Sequence, residues 1–138
     1  MRDTAKLPIL LKELYLSTFQ QLWEPLSEQA KEHYWSYGEY LSSLCKHEID
    51  HRYQNKLKRH LKQAQLPSGK TLSTFDFSHT PNLNKAKVQD LAENTLWVKN
   101  KENLLIFGNS GTGKTHLGAA IAYSLIEKGL KAFFTSTT

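Results

Sequence analysis

The string Gly108-Asn109-Ser110-Gly111-Thr112-Gly113-Lys114-Thr115 constrains this chain more than any other feature, because it dictates a backbone path as well as the elements on either side. It satisfies G-x-x-x-x-G-K-[ST] at every fixed position. Glycines at 108, 111 and 113 allow a sharp main-chain turn that points N–H groups inward, a shape that can wrap a phosphate. Lys114 brings a cation to the β and γ oxygens of a bound nucleotide, and the Thr115 hydroxyl suits a magnesium ion. A helix starting there adds first-turn N–H groups that have no intrahelical partner. The apolar run 104–107 predicts a strand buried on both faces, and 116–128 predicts a helix with Leu117, Ala120, Ile121, Ser124 and Leu125 on one side. Gly129 predicts its stop and 131–135 the next strand, so the expectation is a βαβ unit.

A glycine-rich turn that merely joins a strand to a helix is the bland alternative. The four fixed positions match by chance in roughly one chain of this length in a few hundred, so nucleotide binding is the reading adopted. Gly108, Asn109, Ser110, Gly111, Thr112, Gly113, Lys114 and Thr115 are the expected site for ATP, with Thr115 as the magnesium ligand. His116 is grouped with them, although the sequence reads it as a packing or surface residue ahead of a catalytic one. Turnover requires a later acid for magnesium and water, commonly with an arginine finger. Asp76, Asp90 and Glu93 all precede the loop, so no catalytic residue is assigned.

Upstream, Leu7, Leu10, Leu11, Leu14, Phe19 and Leu22 recur at helical spacing and predict one helix that ends near Pro25. Ser36 and Glu39 have the capping-box spacing, and Tyr37, Leu41, Leu44, Cys45, Ile49, Tyr53, Leu57 and Leu61 continue as an apolar stripe to about Ala64. Leu66-Pro67-Ser68-Gly69 stops that helix. Residues 71–77 read as an extended stretch, and 84–96 as a short helix with Val88, Leu91, Ala92 and Leu96 inward. The expected class is α/β: a small all-helical domain at 1–65, a linker at 66–80, and the incomplete start of a P-loop parallel-sheet domain at 81–138.

The formal charge of +5 is concentrated in one segment. Between Lys46 and Lys70 seven basic residues accompany two acids, whereas the remaining eleven basic residues balance eleven acids. Arg52, Lys56, Arg59 and Lys62 form a cationic helical stripe, flanked by His60, Lys58 and Gln63, that could follow a nucleic-acid backbone. A solvated helix face explains the same pattern, and the sequence leaves both readings open. The lone Cys45 is expected to be buried within the apolar pattern. No apolar run spans a bilayer and no secretory signal opens the chain, so a cytoplasmic protein without membrane partners is expected.

Together these residues resemble the amino-terminal half of IstB-like ATP-binding proteins, the helper ATPases of certain insertion sequences and members of the AAA+ class. The likeness rests on the Leu-rich opening, the capped helix ending in Lys56-Leu57-Lys58-Arg59, the tract Lys70-Thr71-Leu72-Ser73-Thr74-Phe75-Asp76-Phe77, and the string from Phe107 through His116-Leu117. It implies ATP and Mg2+ as cofactors, DNA and a transposase as partners, and a homo-oligomer in full-length members. It also lends weight to Arg52, Lys56 and Arg59 as DNA contacts. Family members continue through Walker B, sensor and arginine-finger elements, so the resemblance implies a truncated chain that binds ATP without hydrolysing it alone. In the family's sheet the first two strands are not neighbours, which predicts an open edge at 132–135 and an aggregation-prone carboxyl half. A helicase-loader-like replication protein, and a DNA-binding module with a vestigial loop, are the rival readings.

Overall fold

The computed structural model describes residues 4–137, and their packing divides the chain into two compact units, Met1–Asn55 and Lys56–Thr138. In the first unit, α1 spans Leu7–Glu13, α2 spans Ser17–Glu32, and the opening part of α3 follows. The single helix expected over 7–22 is therefore two. Its break lies at Tyr15, whose φ of 57° is left-handed. Tyr15 N–H donates to the Lys12 carbonyl and Leu16 N–H to the Leu11 carbonyl, the paired bonds that close a helix around a left-handed residue. Tyr34, at φ 55°, ends α2 similarly, with Trp35 N–H on the Ala30 carbonyl. Pro25, expected to terminate the element, instead lies inside α2.

α3 covers Tyr37–Ala64, and the division between the units falls within it. Its start is the predicted capping box: Ser36 N–H donates to Glu39 Oε2 at 2.6 Å, and Glu39 N–H to Ser36 Oγ at 3.1 Å. The predicted inward stripe is corrected. Leu44 and Glu48 are buried, whereas Tyr37, Leu41, Cys45, Ile49 and Tyr53 are exposed. Positions four apart advance about 40° around a helix at each step, so that ridge drifts off the face that Leu44 and Glu48 bury. Glu48 takes an inward place because the α2 start needs an acceptor. Thr18 N–H donates to its Oε2 at 3.2 Å, and Arg52 Nη2 meets its Oε1 at 3.4 Å. A buried carboxylate is tolerated beside a helix N-terminus and a guanidinium.

In the second unit, α4 (Lys85–Glu93) packs against α6 (Lys114–Glu127). The short α5 lies between them in sequence at Leu96–Lys99. Asn84 Oδ1 accepts from Lys87 N–H and fixes the α4 start. The core is Val88, Leu117, Ile121 and Leu125, with Leu72, Phe75, Phe77, Leu83, Trp97, Val98, Leu104, Ile106 and Leu130 against it. Gly129, at φ +93°, stops α6 as expected, its N–H on the Ile126 carbonyl. The stretch 71–77, expected to be extended, is instead a turn followed by a 3-10 turn at Phe77–His79.

The predicted strands are not formed among the described residues, so the βαβ unit is not seen. Segment 104–107 half-buries Leu104 and Ile106 and exposes Leu105 and Phe107, while 131–135 half-buries Ala132 and Phe134 and exposes Phe133. Both alternate as strands do, but only one face is covered. A strand is held by the ladder to its neighbours. Here the amide of Phe134 finds the Ala64 carbonyl at 2.7 Å instead.

Candidate nucleotide and nucleic-acid sites

The loop at 108–115 is shaped by its glycines. Gly111 and Gly113 have φ of +79° and +90°, in the left-handed region, and a Cβ on Gly108 would stand 2.9 Å from Thr112 Oγ1. Thr112 donates from its hydroxyl to the Asn109 carbonyl at 2.7 Å, closing the turn. Lys114 Nζ donates to the carbonyls of Gly108 at 2.6 Å and Asn109 at 2.8 Å, so the ammonium rests on the loop's own oxygens. Gly113 is the N-cap of α6, and Leu117 N–H makes the first turn's bond back to its carbonyl at 2.9 Å. The amides of Lys114, Thr115 and His116 precede that bond and are oriented as helix-start donors. These residues fit a phosphate: the turn has no Cβ at Gly108, Gly111 or Gly113 and is bordered by one cation and a helix N-terminus. Thr115 is exposed. Among the described residues no cluster of three or more His, Cys, Asp or Glu could hold a metal.

A cleft of about 380 Å³ extends from the loop residues Gly108, Thr112, Gly113 and Lys114 to Phe75, Pro81, Leu83 and Ile106. Beyond the loop the lining is mixed, with His79, Thr80 and Asn82 among the apolar residues. Phe75 lines the cleft beside the loop, since a Cβ on Gly113 would lie 3.3 Å from its Cε2 atom. The His116 imidazole is engaged with the turn at 71–74. Its Nε2 lies 3.0 Å from the Thr71 carbonyl and 3.1 Å from Thr74 Oγ1, and its ring meets Phe75 edge-on at 5.2 Å.

The cationic stripe is divided between the units. Arg52 belongs to the first and is committed there, to Glu48 and, at 3.0 Å, to the Tyr15 carbonyl. Lys56, Arg59 and Lys62 belong to the second and are exposed. His60, expected to flank the stripe, is buried at 4% exposure with its Nδ1 lacking a hydrogen-bond partner. Burial holds its pKa below the usual histidine value, and Lys56, Lys131 and Arg59 push it further down, against a hydrogen bond with the Leu130 backbone. Lys131 is thus close enough to extend the basic patch beyond α3.

Phe75, Thr74 and Lys131 went unassigned in the sequence. The aromatic pair in Thr74-Phe75-Asp76-Phe77 was the available signal for the first two. Lys131 carries none, because its neighbours on α3 are some seventy positions earlier.

The chain matches the family of IstB-like ATP binding proteins over residues 9–138. It is 42% identical over 136 residues to an insertion-sequence ATP-binding protein of Sinorhizobium fredii, covering 99% of this chain and 46% of that protein. Similar proteins of the same description occur in Pseudomonas aeruginosa, at 34% identity over 94% of this chain and 48% of the relative, and in Geobacillus stearothermophilus, at 33% over 88% and 48%. The chain spans about half the length of these relatives. No helix among the described residues is long and apolar enough to cross a membrane.

Proposed function

The chain belongs to the IstB-like ATP-binding family of insertion sequences, and from that premise we propose that it binds ATP with Mg2+ at residues 108–115 and DNA at the basic patch, as a cytoplasmic helper of a transposase. The observation that carries the nucleotide reading is the glycine cradle with Lys114 folded over it. On this reading Lys114 leaves the Gly108 and Asn109 carbonyls for the β and γ phosphates, an exchange of neutral acceptors for anionic ones. The loop amides hold the remaining oxygens, and Thr115 contributes a hydroxyl to magnesium. Bound magnesium supplies charge neutralisation for the triphosphate.

The domain division that accompanies this reading is 1–65 for DNA or partner contacts, 66–80 as a linker whose Leu72, Phe75 and Phe77 pack on the second unit's core, and 81–138 as the opening of a P-loop parallel-sheet domain. Segments 104–107 and 131–135 are then its first strands, which is consistent with their alternating burial. Binding rather than turnover is the role given to these residues. Asp76, one of the acids that precede the loop, accepts from Ser78 N–H and pairs with His79, so its carboxylate is already engaged.

The test is titration of a fluorescent ATP analogue into the 138-residue chain with and without Mg2+. A saturable, Mg-sensitive signal that Lys114→Ala weakens by about tenfold to a hundredfold is expected, from the loss of charged hydrogen bonds. Absence of saturation in folded wild-type protein would refute the reading.

A further inference from the structure

From the path of residues 69–77 we infer that His116 is a positioning residue, which acts through Phe75 on the nucleoside end of the ligand rather than on its phosphates; the inference rests on the nucleotide reading above. The Thr71 carbonyl can only accept, so the His116 Nε2 facing it at 3.0 Å carries the proton. Thr74 completes the clasp. Its hydroxyl donates to the Gly69 carbonyl at 2.8 Å, accepts from Thr71 N–H at 3.1 Å, and lies 3.1 Å from the same imidazole nitrogen. The turn before Phe75 is therefore tied at once to itself and to the first turn of α6.

The consequence falls on the next residue. Phe75 is held edge-on to His116 at 5.2 Å and to Phe77 at 4.8 Å, with its ring edge over the bare Cα of Gly113. A ring so fixed is a wall of the cleft that runs from the phosphate cradle to Pro81, Leu83 and Ile106. Polyphosphate bound in the cradle needs none of that wall. A nucleotide does, because its nucleoside extends from the cradle into the cleft that Phe75 lines. His116, the residue that follows the phosphate loop, thereby links that loop to recognition of the nucleoside.

The experiment compares ATP with inorganic tripolyphosphate as ligands for the full chain, in the presence of Mg2+. His116→Ala and Thr74→Val are expected to weaken ATP by about fivefold to tenfold, the loss of one or two hydrogen bonds, and to leave tripolyphosphate affinity unchanged. His116→Gln, which keeps an N–H in the Nε2 position, is expected to restore ATP binding. Should His116→Ala not fold, Phe75→Ala carries the same test with the same expected split. The inference is overturned if ATP affinity is unaffected, if both ligands weaken together, or if the glutamine variant fails to rescue. Tripolyphosphate binding by the wild type that Lys114→Ala does not weaken would refute the nucleotide reading itself.

Discussion

Lys114 Nζ stands 2.6 Å from the carbonyl oxygen of Gly108, the residue that opens the loop which Lys114 all but closes. The cation is thus held by dipoles of its own backbone, at the place where the proposed nucleotide site would use it. Only a ligand richer in negative charge than two carbonyls can draw it away, which favours phosphate over neutral ligands. The left-handed glycines make that arrangement reachable, and their tolerance to change is directly measurable.

Gly113→Ala is expected to destabilise the second unit by about 1–2 kcal/mol from the left-handed backbone alone, with an added clash at the Phe75 ring 3.3 Å away. Pairing it with Phe75→Ala should recover only the clash. Thermal melts of the two variants check this, and an unchanged melting temperature for Gly113→Ala would contradict it.

Replacing Lys56, Arg59, Lys62 or Lys131 by alanine should weaken duplex DNA binding uniformly across sequences and lower the salt slope by about one unit each. Arg52→Ala is expected to behave differently. It removes a partner from the buried Glu48, so it should lower the melting temperature of the first unit in addition to any effect on DNA. Salt slopes equal to wild type in all four lysine and arginine variants would remove the basic patch from the account.

His60 makes stability sensitive to acid. Its folded pKa lies below the unfolded value of about 6.5, through burial and then the nearby Lys56, Lys131 and Arg59. The unfolded chain therefore takes up its proton first as pH falls. Stability is fully present above the unfolded pKa and declines as pH drops through the folded one. Melting temperatures measured from pH 7.5 down to pH 5 should fall for wild type and fall less for His60→Leu. Parallel curves for the two proteins would refute the assignment.

Leu105, Phe107 and Phe133 are 74, 86 and 67% exposed, on segments whose alternate residues are half-buried. Apolar rows of this kind on unpaired extended chain favour association. Leu105→Lys combined with Phe133→Lys should reduce concentration-dependent light scattering of the purified chain without loss of helical circular dichroism. A wild type that melts cooperatively and stays monomeric would show that these rows do not drive association.

Where structure was encoded by neighbours a few residues apart, it was legible. Ser36 and Glu39 announce the start of α3, Asn84 precedes α4, and Gly129 ends α6, each through bonds spanning three to five positions. The glycine pattern of the loop likewise prescribed its left-handed turns. Helix ends at Tyr15 and Tyr34 were not legible, because the left-handed position carries a bulky residue in place of the expected glycine or asparagine. Nor was the choice of buried face on α3, since an apolar ridge at spacing four winds around the helix and several faces compete.

What the amino-acid order determined by itself is the set of short-range torsional and capping preferences, the phosphate-loop backbone, and the segregation of charge. Only tertiary structure decided that Glu48 is enclosed at the start of α2, thirty positions away, and that His116 reaches the Thr71–Thr74 turn across more than forty. The reason is physical. A local hydrogen bond is fixed by the torsions of the residues it spans, whereas a distant one exists only after packing has brought both groups out of water to a common place, and many sequences of contacts compete to do so.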